Sequence, residues 1–459
     1  MKLKNLLILP ILLISSNCFA FSHPGVLVSQ SQLDFMKQQA LAGAEPFAST
    51  YAKAKASKWG SLTYAVQGPP SGGTIDCGSY SNPNIGCTLE DDDSTAALTQ
   101  ALLWYISGNQ TYANNAIAIM NAYSKGLKGG HTNTNATVQA SWSASKFPAA
   151  AEIIRYSNAG WADADFTAFQ SLLTNQYLNS LTAVPGLVNK NGNWAMTTIG
   201  SWFGIAVVTE NQALFQQAVS ALQGAIPAYF YYFPEDGATP KTNPLVIGKW
   251  NGQKVFDASV SGICQETCRD LQHTQFGISG AFNALETAYA QGTDLYTPFA
   301  NRLTTALEFN AGLFPLGFSD MSSGGTKQGS SVNICGGNVT LVLNPTFEIA
   351  YNAYANRLGY SLPNTLAYLT GSVRKITYQE NAPSENHPMV FETLHHGGSP
   401  GVVPPGTTPA PTPSSSPTPT PAPSALSCIA SKLKPTKARI DVTFSGAPAS
   451  FEVNGVNCQ

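Results

Sequence analysis

Four ionisable side chains crowd into ETCRDLQH, residues 266–273, of a 459-residue chain in which Asp, Glu, Lys and Arg make up only 11%. At helical spacing Glu266, Arg269, Asp270 and His273 fall at i, i+3, i+4 and i+7 and share one face, with Thr267, Leu271, Thr274 and Ile278 opposite. A guanidinium on such a stripe can bind an anion, and an imidazole beside it can move a proton near neutral pH. The competing reading is a structural network in which Glu266 and Asp270 pair with Arg269. Charge is so scarce elsewhere that the functional reading is favoured.

Three other constellations could do chemistry. In NKNGNWAMTTIGSWFG, residues 189–204, Asn193, Thr197, Gly200 and Gly204 share a face of small or amide residues beside Trp194. Such a face either packs closely on another helix or makes room for a sugar ring. In the second case Asn193 would bond a carboxylate and Trp194 would stack on the ring. In HTNTNATVQASWSASKF, residues 131–147, His131, Gln139, Trp142 and Lys146 suit a carbohydrate-lined groove, or else simply cap loops. Tyr351, Asn352 and Tyr354 form a late stripe that is either core or a source of protons. His395 and His396 are adjacent, cannot share a helix face, and are expected at the surface. There is no G-x-S-x-G, H-E-x-x-H or phosphate-binding loop. Cys264 and Cys268 lack a second ligand pair, so neither a metal nor a cofactor is expected.

Helices must position these groups. Leu98, Leu102 and Tyr105 keep helical period after a DDDS start that Asp93 or Ser94 would cap. Ile278, Phe282, Leu285 and Tyr289 repeat the pattern, as do Phe299, Leu303 and Leu307, then Phe347, Tyr351 and Tyr354. Helix pairs without a strict repeat predict an all-α body, an (α/α) toroid rather than a solenoid.

The organisation is expected to be fourfold. Residues 1–20 have a basic start, an apolar core and a small-residue end, which predicts a secretion signal. Residues 21–400 form the helical body. Residues 401–425 are a Pro/Thr/Ser linker with extended, polyproline-like spacing. Residues 426–459 form a small disulfide-closed β module through ARIDVTFSG and ASFEVNG. An oxidising compartment, secreted or periplasmic in a bacterium, suits the remaining cysteines. The expected pairs are Cys77–Cys87, Cys428–Cys458 and Cys264–Cys335, with Cys268 left free. A net charge of −2 argues against nucleic acid. No membrane anchor is expected, and the chain is expected to act as a monomer.

The blocks together resemble the alginate-lyase superfamily of polysaccharide lyases. HPGVLVSQSQLDFMKQQALAGAEPF is similar to that family's opening. WSASKFPAAAEIIRY, NGNWAMTTIGSWFGIAVVTEN, QETCRDLQHTQFGISGAFNALETAYAQGTDLY and PTFEIAYNAYANRLGY follow in family order, over roughly residues 23–375. The chain departs from the family in having Cys268 where Gly usually precedes the Arg-Asp pair. It also has Asn193-Trp194 in place of an Asn-His pair.

The resemblance implies a toroid whose inner helices line a cleft, and β-elimination on a 4-linked uronate polymer such as mannuronate-rich alginate or glucuronan. Removing the C5 proton requires donors that neutralise the adjacent carboxylate, a base, and an acid for the departing O4. Asn193 and Arg269 are the expected carboxylate holders, and His273 the base or a further neutraliser. Tyr351 is the expected acid or mover of both protons, with Tyr354 on the same face as its rival. Trp194, His131, Gln139, Trp142, Glu266, Gln272 and Tyr354 are the expected substrate contacts. Two rivals remain: a glycoside hydrolase using Glu266 and Asp270, with Glu348 as a third carboxylate, and a non-catalytic polysaccharide-binding protein.

Overall fold

A computed structural model describes residues 20–182, 191–315, 331–376 and 391–398, and the backbone of 438–444 and 447–456. The expected signal core, the Pro/Thr/Ser tract, and Cys428 and Cys458 lie outside the described residues. Contacts divide the chain into residues 1–407 and 408–459.

The first unit is mostly helical. Helices α1 (Gln30–Leu41) and α2 (Phe47–Ala56) precede α3 (Cys87–Ser107) and α4 (Gln110–Gly126). Next come α5 (Ala136–Ala144), α6 (Phe147–Arg155), α7 (Asp163–Leu172), α8 (Asn179–Thr182), α9 (Gly192–Val208), α10 (Gln212–Tyr229) and α11 (Phe233–Asp236). After a long loop follow α12 (Leu271–Ala290), α13 (Ala300–Ala311), α14 (Glu348–Tyr351), α15 (Pro363–Gly371) and α16 (Glu392–His396). Strand β1 (Ile75–Cys77) pairs antiparallel with β2 (Asn84–Ile85) and parallel with β3 (His131–Thr132). Strands β4 (Ser331–Ile334) and β5 (Gly337–Thr340) form a hairpin. In the second unit β6 (Ala438–Phe444) and β7 (Ala447–Val456) pair antiparallel, with Ile440 opposite Phe451.

Helix α9 explains the arrangement of the body. Its sequence is apolar or small all round, and a helix of that kind has no face to offer water. It packs against α5, α10 and α12, and only Trp194 and Gly200 along its length are more than marginally exposed. The approach to α12 is set by glycine. A Cβ on Gly280 would lie 2.6 Å from the Thr197 backbone nitrogen, and one on Gly200 would lie 2.9 Å from the Gly280 carbonyl. The small face of residues 193–204 is therefore helix packing at Gly200. At Gly204 it meets Pro148 and Val26.

Several sequence expectations change in the structure. The helix expected to start after an Asp93 or Ser94 cap begins seven or eight residues earlier, at Cys87, where Gly86 supplies a left-handed φ of 83°. A backbone link replaces the expected side-chain cap. Asp93 lies inside α3, buried, and accepts from the Tyr64 hydroxyl and the Gln67 and Gly68 amides. His395 and His396 are buried rather than exposed. Their rings contact each other, and His396 Nε2 lies 3.4 Å from Glu286, which also pairs with Arg357. Cys77–Cys87 forms as expected. The other bridge is Cys268–Cys335, and Cys264 is the buried free thiol, because Cys264 lies in the core beside Asn310 while Cys268 reaches the β4–β5 turn.

The opening segment is fastened by His23. Its Nδ1 lies 2.8 Å from Glu152 and its Nε2 2.6 Å from Glu210. Burial pulls the ring's pKa down, but the hydrogen bonds and charges of Glu152 and Glu210 outweigh it and leave it above the ordinary 6.5. A raised histidine contributes stability that is fully present below the unfolded value and lost as pH climbs through the folded one. Glu210→Gln should therefore cost up to about 1 kcal/mol near pH 5.5, since the carboxylate is half exposed, and almost nothing near pH 8.5. Urea unfolding of both proteins at the two pH values measures this, and an equal loss at both would contradict it.

Candidate active site

The polar segment is built from a turn and a cap, not from one continuous helical face. Between Cys264 and Asp270 the chain turns: the Arg269 and Asp270 amides both donate to the Glu266 carbonyl, at 2.8 and 3.2 Å. Helix α12 starts only at Leu271, with Asp270 as its N-cap. The residues expected on the opposite face, Thr267, Leu271, Thr274 and Ile278, are all buried.

Asp270 has two tasks. Its carboxylate accepts from the His273 backbone amide at 2.7 Å, capping the helix. It also holds His273 Nδ1 at 2.8 Å. Burial pushes the Asp270 carboxyl up, yet the hydrogen bond and charge of His273, with the Arg269 charge, hold it below its usual range. An ionised Asp270 keeps the ring proton on Nδ1. Nε2 is then the basic atom of a neutral His273.

Glu266 sits behind this pair, 1% exposed. It accepts from the Asn193 backbone amide at 2.9 Å, from Asn193 Nδ2 at 2.7 Å, and from Arg269 Nη1 at 3.0 Å. Burial raises the Glu266 carboxyl above its ordinary value, although the His273 charge, the Asn193 bonds and the Arg269 charge each pull it back. Asn193 therefore spends its donors on Glu266 instead of offering them to a ligand, and Glu266 supports the site instead of touching substrate.

These groups border one cleft of about 540 Å³, which Gln139, Trp142, Asn193, Trp194, Arg269 and His273 all line. Its walls come from the amino ends of four helices: Cys87 and Thr88 of α3, Asn135, Val138 and Gln139 at α5, Asn191, Asn193 and Trp194 at α9, and Arg269 and His273 at α12. Helix amino ends carry partial positive charge, but two of these are already capped by carboxylates, α9 by Glu266 through the Asn193 amide and α12 by Asp270 through the His273 amide. The guanidinium of Arg269 is therefore the group at the cleft best suited to an anion. Arg269 and His273 keep roughly a quarter of their side chains exposed.

Other expected contacts lie elsewhere. His131 has a fully buried side chain that bonds Glu90 at 2.9 Å, and Glu90 also takes bonds from Gln139 and Tyr177. His131 thus props up the wall that Gln139 forms. Lys146 is buried against Asp91 at 2.6 Å, and it is Asp91 that lines the cleft. Gln272 is not among the lining residues. Tyr354 is wholly buried, its hydroxyl on the Tyr296 carbonyl. Tyr351 does not line the cleft either. Its helix runs beside the middle of α12: Glu392 links Ile349 to Ser279, and Arg357 pairs with Glu286. That course leads away from His273, which lies at the start of α12.

Sequence reasoning missed two features. Ser79, Ser81, Asn84 and Thr88 furnish a hydroxyl and amide wall, from in and just after a stretch whose Gly/Ser/Asn composition reads only as loop. Phe276 packs edge-on against both His273, 5.5 Å between centroids, and Trp142, 6.0 Å. Its spacing three residues after His273 was the available signal. Among the described residues no group of three or more His, Cys, Asp or Glu is placed to hold a metal ion.

A family model described as alginate lyase matches residues 78–312, just over half of the chain and spanning all four helix ends. The chain belongs to the alginate lyase family. It is a polysaccharide lyase. Similar solved structures include two variants of alginate lyase A1-III complexed with tetrasaccharide. A histidine-to-alanine form has 17% identity and TM-score 0.46, covering 61% of this chain and 74% of that one. A tyrosine-to-phenylalanine form has 19% identity, the same score and the same coverage. The A1-III enzyme from Sphingomonas species A1 scores 0.38 at 17% identity, covering 49% of this chain and 57% of that one. No curated relative matches the sequence at a significant level.

In this lyase the Cys268–Cys335 bridge spans 67 residues and ties the turn that carries Arg269 to the β4–β5 hairpin, whereas Cys77–Cys87 spans 10. Closing a longer loop removes more entropy from the unfolded chain. The double variant Cys268→Ser/Cys335→Ser should lose about 2–4 kcal/mol. Cys77→Ser/Cys87→Ser should lose about 1–2 kcal/mol less than that. Denaturant midpoints compare the two, and the reverse order would refute the account.

Proposed function

We propose that this lyase cleaves a 4-linked uronate polymer, alginate and its mannuronate-rich stretches first, by β-elimination to 4,5-unsaturated products. The observation that supports this most is the meeting of Arg269 and the Asp270-held His273 in a cleft walled by helix amino ends. Arg269 binds the uronate carboxylate and lowers the cost of the charge that develops as C5 loses its proton. His273 Nε2 takes that proton. The C5 electron pair forms the C4–C5 double bond, the C4–O4 bond breaks, and the new imidazolium returns a proton to O4. Trp194 and Trp142 supply faces for the flanking sugar rings.

One group moves both protons only when the C5 hydrogen and O4 lie on the same side of the ring. That holds for D-mannuronate and D-glucuronate and fails for L-guluronate. A single Asp–His pair thus favours the mannuronate or glucuronate polymer. A hydrolase reading is disfavoured, because Glu266 and Asp270 are engaged with Asn193, Arg269 and His273 and neither lines the cleft. Residues 1–20 would direct secretion, residues 21–400 would form the catalytic body, and residues 401–425 would space it from a small module at 426–459. Two disulfides are consistent with an oxidising compartment.

Purified protein incubated with a panel of polyuronates should yield products that absorb in the ultraviolet, and products without that absorbance would sink the elimination. Arg269→Ala should reduce kcat/KM by roughly 10²–10³-fold. Asp270→Asn keeps a competent helix cap but frees the ring tautomer, and should reduce kcat by about 10²–10⁴-fold with little change in melting temperature. Tyr351→Phe should retain most activity. Loss of turnover there would return the proton transfers to the tyrosine.

A further inference from the structure

We propose that a second carbohydrate-contact site lies at the carboxyl end of α3, where Trp104, Tyr105 and Tyr156 form an aromatic platform edged by Lys37, Gln30 and Asn158, and that it holds a stretch of acidic polysaccharide outside the catalytic cleft. These six residues line a concavity of about 390 Å³. Along α3, Tyr105 stands seventeen residues from the cleft residue Thr88, about 25 Å at helical rise. The two sites thus occupy opposite ends of one rigid element.

The aromatic rings are held by their polar ends or by one face, which leaves other surface for a ligand. Trp104 Nε1 donates to the Ser157 hydroxyl at 2.8 Å, and the Tyr105 hydroxyl donates to Asp34 at 2.6 Å. Tyr156 stacks one face on His23, 4.4 Å away and within 12° of parallel, yet remains 39% exposed. Trp104 and Tyr105 are half-buried and Tyr156 is exposed, and aromatic faces so presented suit the apolar faces of pyranose rings. The rim carries two charges: the Asp34 carboxylate, taken up by the Tyr105 hydroxyl and the Gln30 amide, and the Lys37 ammonium. Lys37 is exposed, with its ammonium 5.7 Å from the Tyr105 ring centroid, placed to meet a carboxylate on a sugar resting on that ring. Asn158 is an exposed amide that can bond ring hydroxyls, while the Gln30 amide nitrogen donates to Asp34 and Tyr105 and fixes that edge of the platform. A polymer held here stays at high local concentration around the cleft. The identity of that polymer rests on the function proposed above, while the existence of the site does not.

The test is affinity electrophoresis of the full chain carrying Arg269→Ala, in gels containing alginate, glucuronan or their carboxyl-reduced neutral forms. Retardation by an acidic polymer that persists in Arg269→Ala and weakens about fivefold with Tyr156→Ala or Lys37→Gln is expected. Tyr156→Phe should retain it, because the ring and not the hydroxyl does the stacking. In the otherwise native enzyme, Lys37→Gln should leave turnover of short oligosaccharides unchanged and slow that of long polymer. Should Tyr156→Ala fail to fold, the exposed Lys37 still gives the readout. No retardation by any polymer, unchanged retardation in Lys37→Gln, equal retardation by the neutral forms, or equal losses in Tyr156→Phe and Tyr156→Ala would each overturn the proposal. If no polyuronate is cleaved but Lys37-dependent retardation remains, the elimination reading fails and this site stands.

Discussion

A single buried carboxylate joins the two central helices at their amino ends. Glu266 accepts from the backbone and side chain of Asn193, at the first turn of α9, and from Arg269, just ahead of α12. Burying a carboxylate is costly unless donors surround it, and here they do. The Glu266 contacts fix the separation and direction of Arg269 relative to Trp194. The glycine contact between Gly200 and Gly280 then holds the rest of both helices at backbone distance. Without the first, the guanidinium would be a flexible surface group; without the second, the turn before α12 would have no fixed frame.

This dependence also explains the protein's economy with charge. A binding site for an acidic polymer commonly shows many lysines and arginines. Within the cleft described here, Lys146 is consumed by Asp91, and Arg269 is partly neutralised by Glu266 and Asp270. The first-turn amides of α9 and α12 are spent in the same way, on the Glu266 and Asp270 carboxylates, so the groups at the cleft are fixed in direction by one shared network. Preorganised dipoles are effective where charge develops during a reaction, because nothing has to reorient at that moment.

Some of this was legible in the sequence and some was not. Element types could be read because α9, α12 and α13 carry long apolar patterns at helical period, and the paired strands of the tail alternate. Boundaries were less legible. The start of α3 depends on the left-handed Gly86 and on strands β1 and β2, which are too short to leave a pattern. The Arg269–His273 pairing was visible because it is local. Asn193 was found, but its role was not: which way its amide points depends on Glu266, 73 residues away. Tyr351 and Tyr354 shared a helical face on paper, but a face says nothing about which neighbour it meets, and theirs meets the middle of α12. The histidines at 395 and 396 looked exposed because near-terminal polar pairs usually are. Glu286, more than a hundred residues earlier, supplies the buried partner that sequence spacing cannot reveal.

The position of Tyr351 has a chemical consequence. A phenol is a good proton donor to a departing alkoxide but a poor base unless its own proton has been drawn off. An imidazole fixed by a carboxylate has neither difficulty, since its neutral form accepts and its charged form donates near neutral pH. The Asp270 cap supplies that fixation at no extra cost in structure, because the same oxygen atoms begin the helix and orient the ring. On the proposed mechanism, orientation of the proton carrier and helix initiation share one side chain. If His273 is the single proton carrier, as proposed, it reaches only one side of the sugar ring from its wall of the cleft, and selectivity among uronates then arises without any residue that reads the sugar's identity directly.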